Sequence, residues 1–234
     1  MRIEEAFEVY SSKVAEVHIY RQAIRRAADQ EMQRLHDQRE KQQESGFPDS
    51  LKVSGQNMSF RTAETGAFHF YAFHDATIQE LIDSLVKRTN RQYQWLLADT
   101  YELFEDYLEH AYACMGYLDN GTWPLRDYGG TCLPELGTKN YEYFLQQSQN
   151  KKERPYSILN QFRFKLPLIT RCELTNSLDT NLCLAIAVIE KMRHFIVHLR
   201  GVVNNREKTT KEILKRAAVY NNGNDPAMKL WTLG

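Results

Sequence analysis

Apolar positions recur at helical spacing along most of the chain. Residues 2–44 contain neither Gly nor Pro, and Ile3, Phe7, Tyr10, Val14, Val17, Ile24 and Leu35 fall on a heptad-like seam broken by Arg21 and Glu31. That pattern predicts one long helix. Its second half is almost entirely polar and is expected to be solvated or bound to a partner. Arg21, Arg25 and Arg26 make a basic patch there; a solvated face is the first reading of such a run, and RNA contact the second. Gly46-Phe47-Pro48 ends the helix. Weak alternation in MSFRT and GAFHFYAF then predicts a small β-hairpin near 51–74, with His69 and His74 as packing or surface residues.

The strongest helical signal spans Asp75 to Tyr117, and Asp75 or Thr77 can cap its start. Ile78, Leu81, Ile82 and Leu85 form one apolar face; Tyr93, Leu97, Tyr101, Phe104, Leu108, Tyr112 and Met115 form a second, and a kink near Thr89-Asn90 would join the two. The aromatic residues read as core, and the acids Asp99, Glu102, Glu105, Asp106 and Glu109 are placed mostly on the outer face. Asp119 to Thr138 is a loop, punctuated by Asn120-Gly121, Trp123-Pro124 and Gly129-Gly130. Within it Trp123 and Tyr128 are read as covers for the core, with base stacking as the alternative. Further helices are expected at Asn140–Gln149, at Tyr156–Phe164, within Leu168–Leu178 and at Thr209–Tyr220. Asn222-Gly223 and Asp225-Pro226 mark a closing turn, after which Leu230 and Trp231 can fold back on the core.

Asn181 to Asn205 is an element of another kind. It opens as an apolar run (Leu182, Leu184, Ile186, Val188, Ile189) and then carries Glu190, Arg193, His194 and His198, which a core element should not. On a helix capped near Asp179 or Thr180 and ended by Gly201, Glu190, His194 and His198 form one stripe, while Ile189, Met192, Phe195, Ile196 and Leu199 supply buried surface. An arginine and two histidines against an apolar wall suggest phosphate chemistry near neutral pH. Imidazole exchanges protons there, and guanidinium donates paired hydrogen bonds to phosphate without losing its charge. At about 100° per residue, Arg193 and His198 lie about 140° apart on an ideal helix. Either the helix is distorted between them, or the arginine reaches around, or a second subunit completes the site. Glu190 is a supporting residue that would pair with Arg193 or fix His194. His194 and His198 also match a two-histidine metal edge, with Glu190 as third ligand, but the adjacent arginine would repel a cation, and no metal is expected.

Arg193-His194-Phe195-Ile196-Val197-His198 resembles the Arg-x4-His signature of the HEPN superfamily, with Glu190 upstream, Ile196-Val197 before the histidine and Gly201 soon after it. The segment LFEDYLEHAY resembles the first long helix of HEPN proteins in general pattern. The resemblance covers Thr77 to Val219 in shape and Glu190 to Gly201 in motif. It implies an all-α, HEPN-like up-and-down helical bundle over 77–234 and says little about residues 1–76, where the apolar spacing predicts an extended N-terminal helix at 1–46 and a connector holding the hairpin at 47–76. It further implies a metal-independent endoribonuclease acting on RNA (tRNA or mRNA) as a homodimer whose two motifs share one cleft. Arg193, His198 and His194 would be catalytic, and products would end in 2′,3′-cyclic phosphate or its hydrolysis product. A toxin–antitoxin or phage-defence setting, with an antitoxin or defence partner, is implied in the same way. HEPN toxins silenced by a nucleotidyltransferase often carry a tyrosine two residues after the motif histidine; Arg200 stands there in this chain, which speaks against that mode of control. The rival reading is a non-catalytic helical module that uses the same helix to bind RNA or protein.

Composition narrows the setting. With 42% hydrophobic and 26% charged residues in 234, the chain is ordinary for a globular protein, and its zero formal charge supplies no bulk field to recruit nucleic acid. Any RNA contact must come from a local patch. No window holds the roughly 18 apolar residues of a membrane span, and with Met1 leading directly into RIEEAFEVY no signal peptide is expected. Cys114, Cys132, Cys172 and Cys183 show no CxxC pairing, so reduced thiols in a cytoplasmic protein are expected. No GxGxxG, P-loop, GxSxG or HExxH pattern occurs, and no cofactor is expected.

Overall fold

Helical periodicity carries through to a computed structural model, which describes residues 2–152, 155–199, 201, 203 and 205–221, with backbone alone at 54–58, 70–74 and 215–221. Among the described residues the order is α1 (Ile3–Glu44), β1 (Val53–Arg61), β2 (Phe68–Ala76), α2 (Ile78–Leu118), a 3-10 turn at Leu125–Tyr128, α3 (Leu133–Leu136), α4 (Tyr141–Asn150), α5 (Tyr156–Lys165), α6 (Pro167–Leu174), α7 (Leu182–His198) and α8 (Arg206–Asn221). The class is all-α, with one two-stranded sheet. The expected turn at Asn222-Gly223 and Asp225-Pro226, and the packing of Leu230 and Trp231, lie outside the described residues. The chain forms two compact units, His18–Tyr93 and Met1–Val17 with Gln94–Gly234.

In the unit His18–Tyr93, the second half of α1 lies antiparallel to the start of α2. Leu35, Ile78, Ile82 and Leu85 are buried together, with Ala28, Met32 and Leu81 against them, and Arg39 Nη1 donates to Gln79 Oε1 at 3.2 Å. The stretch expected to be solvated or partner-bound therefore has a packed side within the chain. Of its seam only Leu35 shows in the pattern, because Ala28 is small and Met32 is isolated among charges. Thr77 and Glu80 close a capping box at the start of α2: Thr77 N donates to Glu80 Oε2 at 2.8 Å, and Glu80 N to Thr77 Oγ1 at 3.2 Å. The helix then continues through Thr89-Asn90 as one element. The hairpin pairs antiparallel from Val53↔Ala76 to Arg61↔Phe68, with a register shift around Met58. Gly66 takes the positive φ that its turn needs, and exposed His69 stacks on Phe60 with ring centroids 5.5 Å apart.

In the other unit the aromatic stripe of α2 is the bed on which later elements lie. Its buried core contains Leu108, Tyr112, Trp123, Tyr128, Leu136, Phe144, Ile158 and Phe162. Trp123 and Tyr128, from the segment read as a loop, are 4% and 0% exposed, which makes them core residues and removes the base-stacking alternative. The Trp123 indole stacks on Tyr112 at 4.5 Å and 11° and donates from Nε1 to Tyr112 O at 3.0 Å. Tyr112 in turn donates its hydroxyl to Asp127 Oδ2 at 2.6 Å, and Lys151 pairs with the same carboxylate. Burial first, and the Asp127 carboxylate second, push the Tyr112 phenol far above its usual range, so it stays a donor. Ser148, fully buried, donates to Glu109 O at 2.9 Å and ties α4 to α2. Between α5 and α6, buried Arg163 makes a bidentate pair with Glu173 at 2.6 and 2.7 Å. The first turns of α1 close the unit through Phe7 and Tyr10, whose rings lie 5.9 and 5.1 Å from Tyr107.

Two predictions follow from this packing. A Cβ on Gly116 would enter the Trp123 indole, with ring atoms still at 2.7 and 2.8 Å beyond the first contact. Gly116→Ala is expected to cost about 1–3 kcal/mol despite its better helix propensity, read as a lower urea midpoint; an unchanged midpoint means that the indole is not seated there. The second concerns pH. His110 Nδ1 lies 2.7 Å from the Tyr141 hydroxyl, and burial lowers the His110 pKa below 6.5, opposed by Asp106 and helped by Lys13. The unfolded chain therefore takes up this proton at higher pH than the fold does. The contribution is fully present above about pH 6.5 and is lost as pH falls through the lower folded value. Between pH 7.5 and 5.0, wild type should lose more stability than His110→Gln; equal losses would rule His110 out as the source.

Candidate functional site

The site-bearing helix is α7, and its local logic is visible in its caps. Asn181, rather than Asp179 or Thr180, is the N-cap: its side chain accepts from Leu184 N at 2.9 Å. Asp179 instead takes a left-handed turn position, with φ of 49°. Cys183, Leu184, Ala187, Val188 and Ile196 form the buried face, and Leu184 and Val188 pack against Ile213 and Leu214 of α8. The helix ends at His198; Gly201, at φ of 79°, donates its N–H back to Phe195 O at 2.8 Å. Any side chain on Gly201 would press on Gln94, whose Oε1 would lie 2.9 Å from the added Cβ.

Because α7 is helical without interruption from Leu182 to His198, a distortion between Arg193 and His198 does not bring them together. Arg193 turns toward α2. Its Nη2 lies 3.1 Å from Glu102 Oε1 and 3.9 Å from Glu105 Oε2, and its side chain is 26% exposed. Its Nε is buried with no hydrogen-bond partner. His194 and His198 are instead exposed, with ring centroids 5.0 Å apart and planes tilted by 51°. Glu190, half-buried, lines an interior crevice with Tyr101, Leu159, Arg163, Cys183 and Ala187, and the carboxylates that reach Arg193 are Glu102 and Glu105. The motif's side chains thus separate into a tethered arginine and a pair of solvent-facing imidazoles.

Arg193 borders an open cleft of about 760 Å³ lined by Glu102, Glu105, Asp106, Glu109, Gln149 and Lys151. Four carboxylates face two cations, and Lys151 is already held by Asp127. The acids of α2 are thus not simply an outer face: Glu109 is 7% exposed, and Glu105 flanks the core. Helical counting contained that signal, since Glu105 lies four residues after Tyr101 and seven before Tyr112 and must share their side of the helix. Nothing in the one-dimensional pattern named Arg193 as the cation facing it. Among the described residues no group of three or more His, Cys, Asp or Glu is placed to hold a metal ion. No disulfide joins the four cysteines, and burial pushes the thiols of Cys114 and Cys183 up, away from reactive thiolate.

Comparison with known protein families, curated proteins and solved structures returns no match. No described helix is long and apolar enough to cross a membrane.

A partly exposed ion pair of this kind contributes little to stability. Arg193→Met, which keeps the apolar stem, is expected to cost at most about 1 kcal/mol at low ionic strength and less in 1 M salt, where such pairs are screened. A loss that is several times larger, or insensitive to salt, would make Arg193 a structural residue rather than an available one.

Proposed function

We propose that the chain is a HEPN-like, metal-independent endoribonuclease acting as a homodimer, with a target in tRNA or mRNA and a role in toxin–antitoxin or phage-defence biology. The observation that carries this reading is the exposed imidazole pair: His194 and His198, 5.0 Å apart beside Arg193 on the final turns of α7. Cleavage proceeds by attack of the ribose 2′-oxygen on the adjacent phosphorus. One imidazole takes the 2′-OH proton and a protonated imidazole gives one to the departing 5′-oxygen, leaving a 2′,3′-cyclic phosphate and a 5′-hydroxyl. Arg193 balances the charge gathering on the non-bridging oxygens. Its position about 140° around the helix from His198, and its tether to Glu102, favour a guanidinium supplied across a two-fold axis by the second copy. A single phosphodiester charge can exchange for the half-exposed carboxylate.

A second reading has its own support. Arg193 already meets carboxylates in a cleft whose charge balance is negative, and such a field repels a polyanion. On this reading α7 is the recognition surface of a non-catalytic module, and of the two partner classes, RNA and protein, that field favours protein.

Incubation with total RNA in EDTA separates the two. Wild type should cut with a bell-shaped pH dependence, His198→Ala should lose about 10²–10⁴-fold, and Arg193→Ala about 10²–10³-fold, at unchanged melting temperature. Absence of cleavage by the wild-type dimer, or full activity in His198→Ala, sinks the nuclease reading.

A further inference from the structure

The chain has zero net charge, yet the antiparallel pair of α1 and α2 within His18–Tyr93 is electrically lopsided. Residues 21–31 and 84–93 carry Arg21, Arg25, Arg26, Lys87, Arg88 and Arg91 against Asp29 and Glu31 alone. At the opposite end, residues 37–44 and 78–83, the excess reverses: Asp37, Glu40, Glu44, Glu80 and Asp83 outnumber Arg39 and Lys41. The tertiary pairing sets the two basic stretches level. Arg39 meets Gln79 at 3.2 Å, Leu35 packs on Ile78, Ile82 and Leu85, and the Glu31 carboxyl is held low mainly by Arg34, with Arg88 adding to it.

The two acids inside the basic end are already engaged. Asp29 lies 3.7 Å from Arg25, and Glu31 accepts from Arg34 at 2.9 and 2.7 Å. Arg21, Arg25, Arg26, Lys87 and Arg88 are exposed, and Arg91 is half-buried. Counting about 100° per residue from the buried seam, Arg25 falls on one flank of the pair and Arg26 toward the back of α1, Arg88 and Arg91 on the other flank, and Lys87 on the back of α2. The cations therefore form a collar rather than a patch. A flat anionic membrane meets one flank only, and residues 21–31 offer no broad apolar face to bury in one. A flexible polyanion reaches both flanks. Tyr20, 62% exposed next to Arg21, adds an aromatic face of the kind that stacks on unpaired bases.

We propose that this collar grips the sugar–phosphate backbone of single-stranded RNA, a site separate from the α7 motif. The choice of RNA over another single strand rests on the nuclease reading; the grip itself does not.

The test is fluorescence anisotropy of the full chain with a labelled 2′-O-methyl oligoribonucleotide of roughly 16 nucleotides, which lacks the 2′-OH and so reports binding without cleavage. Wild-type affinity should fall steeply with salt, by about 0.7 in the log–log slope for each phosphate neutralised. Arg25→Gln/Arg26→Gln and Lys87→Gln/Arg88→Gln should each flatten that slope by more than one. Each should bind at least about tenfold more weakly at low salt, near 50 mM, with unchanged helicity. The Arg25→Lys/Arg26→Lys/Arg88→Lys protein should bind like wild type, which keeps the test valid if a glutamine variant misfolds. Salt-independent binding, no binding, equal binding by folded glutamine variants, or capture by phosphatidylserine vesicles in place of the oligonucleotide would each overturn the collar. Collar-dependent binding without cleavage of natural RNA would sink the nuclease reading alone. Cleavage at unchanged KM by the glutamine variants would sink the collar alone.

Discussion

One face of α2 has to be kept from water, and the larger unit of the chain is built to do it. Tyr101, Leu108 and Tyr112 project from a single stripe of a 41-residue helix, and burying side chains of this size is worth about 1.5–3 kcal/mol each. The cover is supplied by residues that follow in sequence. Trp123 lies flat on Tyr112 over the bare backbone of Gly116, Phe144 meets the indole edge-on, and Phe162 meets the Tyr112 ring edge-on. The Tyr112 hydroxyl and the Trp123 N–H that this arrangement traps are satisfied locally, the first by Asp127, which also holds Lys151, and the second by the backbone carbonyl of residue 112 under the indole. A buried hydroxyl left without such a partner would cost about as much as a side chain's burial returns.

The candidate site inherits its form from that cover. With Cys183, Leu184, Ala187 and Val188 of α7 turned inward, the helix has only two directions left for its polar groups. One leads to the acidic flank of α2, where Arg193 is caught by Glu102 and Glu105; the other leads to solvent, where His194 and His198 stand together. Chemistry that needs guanidinium and imidazole at one phosphate therefore calls for a second copy of the helix or for release of the arginine from its carboxylates. The exposed position of Glu102 keeps that release inexpensive, since its side chain is 56% exposed and solvent can take over its charge.

Charge is segregated within each unit of a neutral molecule. Carboxylates collect along the middle of α2 around the cleft, whereas guanidinium groups collect where the polar half of α1 runs beside residues 87–91 of α2. Neither accumulation is visible in the net charge. Each arises because helices bring together residues far apart in sequence, so that charges that balance along the chain stop balancing in space.

Most of the helices were legible from the sequence, because a 3.6-residue repeat of apolar side chains is a local property and one buried face is enough to enforce it. The long α1, the hairpin, α2, α4, α5, α7 and α8 all follow from spacing and from breakers such as Gly46-Phe47-Pro48. The Arg193–His198 segment stood out for the same reason, as polar side chains set into an otherwise apolar run. Partnership was not legible. That Trp123 stacks on Tyr112, that Ala28 and Met32 join Leu35 in a seam, that Glu105 and Glu109 turn inward, and that Arg88 stands level with Glu31 depend on which faces meet. A face alone records that it is apolar or charged but not what covers it, and only the tertiary packing supplies the other half.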